Sequence, residues 1–228
     1  MSDLKLFNLL ATESFVYVCT SQLSSRNYKL TYFNVKAVAE PIRFIFAYAG
    51  VEYEDNRVEH AQWPEIKGTT PWGQLPLLQV GDKTLAQSNA ICRYLGKKFN
   101  LDGANEWENA KIDEFVDALA DFRTAWTRTF REKDETRKSE MMKDVLETVV
   151  PQIFGTLDAT IAGNNGSPYL VGKKITWIDL QTAHYLDMFE NLNPGVLIKY
   201  PNLKKLRNTV YETDQIKAWC QRRPATNM

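Results

Sequence analysis

The chain has 228 residues, with 44% apolar and 25% charged side chains, the make-up of one or two compact globular domains. Lysine and arginine together balance aspartate and glutamate at 28 each, which argues against nucleic acid or an anionic membrane as the main partner. Cys19, Cys92 and Cys220 are few, odd in number and far apart, and no C-x-x-C occurs. That speaks against a dithiol redox centre or a zinc site and for a reducing, cytoplasmic compartment. His60 and His184 are the only histidines, too few to suggest a metal cluster or a Ser-His-Asp triad.

Residues 1–27 contain two short apolar runs broken by Asn8, Thr12, Glu13 and Ser14. They are too short to span a bilayer and make a poor secretory signal, so they are expected to be a mobile or loosely docked extension. Tyr28 to Phe33 is rich in β-branched and aromatic residues and reads as a strand. Ala39-Glu40-Pro41 opens a helix, with proline in the first turn where its missing N–H costs nothing. Ile42, Phe46 and Ala49 give that helix its apolar face, and Gly50 suits its end. Residues 51–58 alternate partly and predict a second strand. A short stretch around Trp63 and Pro64 and a loop at 68–73 follow. Residues 76–80 and 83–86, joined by Gly81-Asp82, predict a hairpin. Ser88 to Phe99 reads as a helix with Ile91, Tyr94 and Leu95 on one face. The order β-α-β-α-β-β-α predicts a small mixed sheet, its first two strands parallel and its last two antiparallel.

Beyond about residue 103 strand signals stop. Ile112, Phe115, Leu119, Phe122, Trp126 and Phe130 trace one long helix. Met142, Val145, Val149, Ile153, Leu157 and Ile161 trace another, which Pro151 should kink or divide. Thr176-x-x-Asp179 has the form of a capping box, Pro201 opens a further helix, and Ile216 and Trp219 mark a last short one. The second half is therefore an all-helical bundle.

Several residues admit both a structural and a chemical reading. Tyr32, near the end of the first strand, is either half-buried packing or a hydrogen-bond donor to a thiolate. Tyrosine suits the second role because it stays protonated at neutral pH while a free thiol, with a pKa of roughly 8.5, is mostly un-ionised. Ser88 is either a plain helix cap or part of a carboxylate site built on a helix N-terminus. Pro76, starting a strand, is either an ordinary edge proline or a cis proline that presents the Leu75 backbone to an extended ligand. Trp63 and Lys67, one turn apart, are either a tryptophan covered by a solvated lysine or a second carboxylate site. Asp113, Asp117 and Asp121 at i, i+4, i+8 are either a solvated face or a binding site for a cation.

Read chemically, these residues agree on one ligand: a short peptide with two carboxylates, an ammonium and a thiol. Tyr28-Lys29-Leu30-Thr31-Tyr32-Phe33-Asn34, Ala39-Glu40-Pro41-Ile42-Arg43, Trp63-Pro64-Glu65-Ile66-Lys67, Gln74-Leu75-Pro76, Gln87-Ser88 and the Phe122 and Thr176-x-x-Asp179 segments together resemble the cytosolic glutathione transferases of the sigma class. The resemblance covers about residues 28 to 224. It implies a thioredoxin-like α/β N-terminal domain over 28–103, an all-α domain over 104–228, and an enzyme that conjugates glutathione to hydrophobic electrophiles. It further implies that Tyr32 is catalytic, that Gln87 and Ser88 hold the γ-glutamyl end, and that Leu75, before a cis Pro76 and beside Gln74, pairs with the cysteinyl part. Trp63 and Lys67 would bind the glycine carboxylate. Asp121 would reach glutathione in a neighbouring subunit, hence a homodimer. Glutathione would be a co-substrate, with no other cofactor.

Two positions depart from the family pattern. Val38 stands where some relatives carry an arginine that influences the thiol. Ala120 stands where metal-binding relatives carry an additional aspartate, so no metal is expected. Phe33, Val38, Thr124 and Arg128 are expected to form the electrophile pocket. Two other activities fit the resemblance: isomerisation of a prostaglandin endoperoxide to the D-type product, and the non-catalytic role of related lens crystallins. The latter often carry added sequence between the first two helices of the helical domain, where this chain has only Lys133 to Lys138.

Overall fold

A computed structural model describes residues 28–226. The expected extension at 1–27, with Cys19, lies outside the described residues. Four strands, β1 (Tyr28–Phe33), β2 (Glu54–Val58), β3 (Leu77–Val80) and β4 (Lys83–Ala86), form one sheet in the order β2-β1-β3-β4. β1 runs parallel to β2 and antiparallel to β3, and β3 and β4 form the hairpin. β1 alternates, with Tyr28, Leu30 and Tyr32 buried and Lys29, Thr31 and Phe33 partly exposed. β2 starts later than its sequence pattern suggests, at Glu54, where pairing with Lys29 begins.

Helix α1 (Glu40–Ala49) ends at Gly50, whose φ of 66° is the left-handed conformation glycine supplies without strain. Its sequence has one apolar face, yet Glu40 through Ala47 are all buried. Ala49, expected on that face, is only half-buried. The sheet covers one side of the helix and the second domain covers the other. A short α2 (Trp63–Lys67) precedes the loop to β3. α3 (Ser88–Lys98) follows the hairpin, burying Ile91, Cys92 and Leu95 while Tyr94 faces solvent.

The helical half comprises α4 (Glu106–Thr129), α5 (Glu135–Asp144), α6 (Val150–Ala162), α7 (Trp177–Leu192), α8 (Pro201–Glu212) and α9 (Asp214–Arg222). Phe130, counted with the α4 face, lies beyond the helix and is exposed. α5 and α6 are joined by a π-helical turn at Val145–Val149. Pro151 lacks the N–H that would bond the carbonyl four residues earlier, and the wider turn sits where that bond would close. The extra residue also shifts the buried stripe: Val150 and Phe154 are buried instead of the expected Val149 and Ile153, which are only partly so. Phe122, Trp126, Phe154 and Phe189 pack ring against ring at the centre of this half, with Phe122 and Phe189 centroids 5.1 Å apart.

α7 begins with the predicted capping box. The buried Asp179 carboxylate accepts hydrogen bonds from Thr176 N–H (2.8 Å), Thr176 Oγ1–H (2.7 Å) and Leu170 N–H (2.9 Å). The two halves are tied at several points. Trp177 N–H donates to the Leu101 carbonyl (2.8 Å), and Arg93 of α3 pairs with Asp113 of α4 at 2.8 Å. Glu40 of α1 accepts from the Trp219 indole (2.8 Å) and the Arg223 guanidinium (2.7 Å). No helix among the described residues is long and apolar enough to cross a membrane.

Candidate functional site

A cleft of about 570 Å³ opens between the C-terminal end of β1 and the side of α4. Clefts outside the carboxyl ends of α/β strands are where such folds bind ligands. Tyr32, Phe33, Ala37 and Val38 form its floor. Trp63 closes one end, and Trp72, Gly73, Gln74, Leu75 and Pro76 form a rim. Ala86, Gln87 and Ser88 bring the N-terminus of α3 to the cleft. Its oriented N–H groups and positive dipole end favour a carboxylate.

Tyr32 is 8% exposed, its side chain in the wall of the cleft. Burial raises its phenol above the ordinary range, while Arg43, the Val38 backbone amide and Arg123 pull it partway back. The group therefore keeps its proton at neutral pH and remains a donor. Phe33 continues the wall, with its ring edge-on to Trp63 at 5.4 Å and stacked on His60 at 4.8 Å. His60 is thus a packing residue.

The Leu75–Pro76 peptide is cis. Gln87 has φ 72° and Ala37 φ 33°, conformations that non-glycine residues rarely adopt. Both line the cleft, and backbone strain of this kind persists where surrounding structure over-determines it, characteristically at ligand sites. Lys67 does not line the cleft itself. Its aliphatic stem passes Gly73, where an added methyl group would lie 3.6 Å from Lys67 Cε, so its ammonium starts from the cleft rim.

The structure does not bring every expected residue into this cleft. α4 presents Arg123 and Thr127, and the turn just past its end adds Arg131, in place of Thr124 and Arg128. Thr124 is exposed, and Arg128 lines a separate groove with Ala125, Arg137 and Glu140. The expectation was one residue out of phase. Along a helix that step is a rotation of about 100°, enough to move a side chain off the facing wall. Asp121 is also exposed and outside the cleft of a single chain, and Asp113 is paired with Arg93. No cluster able to hold a metal ion occurs among the described residues.

Support for the floor comes from residues whose role the sequence reading missed. Arg43 is fully buried and donates to the Val35 carbonyl (2.8 Å), Glu40 (3.1 Å) and Asp55 (3.1 Å). It thereby ties the loop after Tyr32 to α1 and β2. Two opposite charges three residues apart inside the run Ile42–Phe46 and its flank were the available signal. Cys92 is fully buried and burial pushes its thiol up, so it is no nucleophile. Among the described residues no cysteine lines the cleft.

This geometry, a mixed four-stranded sheet with a buried tyrosine at its strand end and a helical half closing the cleft, is that of proteins in which a thioredoxin-like domain is followed by an all-helical one. Residues 28–97 match the glutathione S-transferase N-terminal domain model and residues 120–223 the corresponding C-terminal domain model. "Hematopoietic prostaglandin D synthase" of Homo sapiens is 39% identical over 202 residues, spanning 89% of this chain and 99% of that protein. "Glutathione S-transferase 1" of Ascaris suum is 41% identical over 202 residues, spanning 87% and 98%. The solved structure of prostaglandin synthase D of Nilaparvata lugens superposes with a TM-score of 0.83 at 42% identity, covering 88% of this chain and all of that one. The chain belongs to the glutathione S-transferase family.

Proposed function

We propose that the protein conjugates reduced glutathione to electrophilic small molecules, as a sigma-class transferase with a detoxifying role. The observation that carries this reading is the buried, protonated Tyr32 in one cleft with Ser88 at the α3 N-terminus and the Leu75–Pro76 backbone. In this reading Ser88 and Gln87 hold the γ-glutamyl carboxylate, Leu75 and Gln74 the cysteinyl part, and Trp63 and Lys67 the glycine carboxylate. Tyr32 then donates to the sulfur and stabilises the thiolate, whose proton leaves to solvent. The sulfur attacks an electrophilic carbon held against α4, forming the S–C bond, and the displaced electron pair leaves with a leaving group or is quenched by a proton. Asp121, exposed on α4, is assigned to the ammonium of glutathione across a homodimer interface. We assign a cytoplasmic location, with glutathione as co-substrate and no other cofactor.

Calorimetric titration with glutathione, followed by turnover assays on a panel of electrophiles, tests the proposal. Micromolar-to-millimolar binding with turnover is expected. Absence of binding would return the chain to a non-catalytic, crystallin-like role. A second reading, isomerisation of a prostaglandin endoperoxide, is favoured by the relatives named prostaglandin D synthase. Product analysis with that endoperoxide separates it from conjugation alone.

A further inference from the structure

The cleft wall formed by α4 and the turn after it carries more positive charge than glutathione requires. Arg123 lies on α4 and Arg131 in the turn just past its C-terminus, and both line the cleft together with Thr127. Among the described residues no carboxylate lies within ion-pair distance of either guanidinium. Arg43, Arg57, Arg93, Arg207 and Arg223 are, by contrast, each matched to an acidic side chain. The opposite side of the cleft is aromatic, formed by Phe33, Trp63 and the largely exposed Trp72. In the transferase reading both carboxylates of glutathione are held from the sheet side, by Ser88 with Gln87 and by Trp63 with Lys67. The two arginines are left for the other substrate.

We propose that the second-substrate half of this cleft selects electrophiles that carry a carboxylate, bound by Arg123 and Arg131 while their apolar body rests on Phe33 and Trp72. The inference rests on the transferase reading. An unmatched guanidinium in a partly dry cleft suits a carboxylate because its planar donors bond both oxygens at once. Val38 adds no charge to the floor, so the preference is assigned to Arg123 on α4 and Arg131 just past its end. For an α,β-unsaturated ketone the step balances without a redox partner. The thiolate sulfur bonds the β-carbon, the C=C π pair moves into the enolate, and the α-carbon takes a proton from water.

The test uses two enones with the same reacting centre, 4-(4-carboxyphenyl)but-3-en-2-one and its methyl ester. For each, kcat/KM with saturating glutathione is divided by the uncatalysed rate of glutathione addition. The wild-type ratio, acid over ester, is expected to be about tenfold, equivalent to about 1.4 kcal/mol. In the Arg123→Met/Arg131→Gln double variant it should fall to about one, and Arg123→Lys/Arg131→Lys should restore most of it, because the charge returns without the planar fork. Because the readout is a ratio within one protein, it is insensitive to loss of folded fraction. A wild-type ratio near one, or a preference that survives the double variant, overturns the inference while leaving the transferase reading intact. Conjugation of neither enone overturns the inference, and the transferase reading falls with it only where the wider electrophile panel is also left unconverted.

Discussion

The Nε2 atom of His184 lies 2.9 Å from the carbonyl oxygen of Ala37. Ala37 holds φ 33° in the loop that follows Tyr32, and His184 projects from the middle of α7. Burial pushes the imidazole down to about 4, with Glu40 and the Ala37 carbonyl opposing, so the ring is neutral at physiological pH. Nε2 therefore carries the hydrogen and donates it, while the buried Nδ1 has no hydrogen-bond partner. One uncharged hydrogen bond thus pins a strained cleft loop to the helical half.

This pair predicts a pH effect on stability. The folded imidazole titrates at about 4 against an ordinary 6.5, so between those values the unfolded chain takes up a proton that the folded chain refuses. Stability is lost as pH falls through that window, by about 3 kcal/mol at most. Asp179 acts oppositely. Burial raises it to about 6 from 3.8, so the folded state binds the extra proton and gains stability as pH falls. The wild type is therefore expected to change little from these two groups between pH 6.5 and 4. His184→Gln removes only the first. Relative to wild type it should gain about 2–3 kcal/mol between pH 7 and pH 4.5. Urea unfolding at both pH values checks this, and a constant difference would refute it.

Replacing Tyr32 by phenylalanine removes the donor and keeps the ring. Conjugation should fall by about 10²-fold in kcat, the usual cost of one preorganised donor to a developing anion. Glutathione affinity should stay within about threefold, because the carboxylate and backbone contacts attributed to the peptide lie elsewhere in the cleft. Steady-state kinetics and calorimetry separate the two. Wild-type turnover would remove Tyr32 from the chemistry.

Asp179 closes three hydrogen bonds from buried donors. Asp179→Ala leaves the Leu170 and Thr176 N–H groups unmatched in the interior and should destabilise the chain by about 3 kcal/mol. Asp179→Asn keeps one acceptor oxygen and the volume, so about half that loss is expected. Thermal unfolding of both variants is the measurement. Equal losses would mean that volume, not hydrogen bonding, matters there.

Gly96 of α3 faces the Trp177 indole so closely that a β-carbon would overlap it. Trp177 is fully buried and its backbone N–H holds the Leu101 carbonyl, so neither its ring nor its backbone can retreat freely. Gly96→Ala should therefore destabilise by about 2 kcal/mol, against the helix-propensity gain of about 1 kcal/mol that alanine normally brings. Combining it with Trp177→Leu should recover part of the loss in urea melts.

Much of this was written in local pattern. The alternation of Tyr28, Leu30 and Tyr32, the Gly81-Asp82 turn, Gly50 behind α1 and the Thr176–Asp179 box each act within a few residues, and the structure has all of them. Tyr32, Ser88, Gln87, Trp63 and the Gln74–Pro76 segment were singled out in sequence because their chemistry is type-specific, and the fold gathers them in one cleft. What only tertiary structure decided is azimuth and depth. α4 has polar residues over a wide arc, and periodicity says which side meets the core but not which polar row meets the other domain. Docking against the sheet half chose Arg123 and Thr127 over Thr124 and Arg128, with Arg131 following just past the helix end. The π-turn before Pro151 likewise moved the buried stripe to Val150 and Phe154 in the turns that follow it, while Leu157 and Ile161 are buried as their spacing predicts. Glu40 and Arg43 sit on a helix that two domains enclose, and the buried Glu40 is satisfied by Trp219 and Arg223, more than a hundred residues away and beyond the reach of any local pattern.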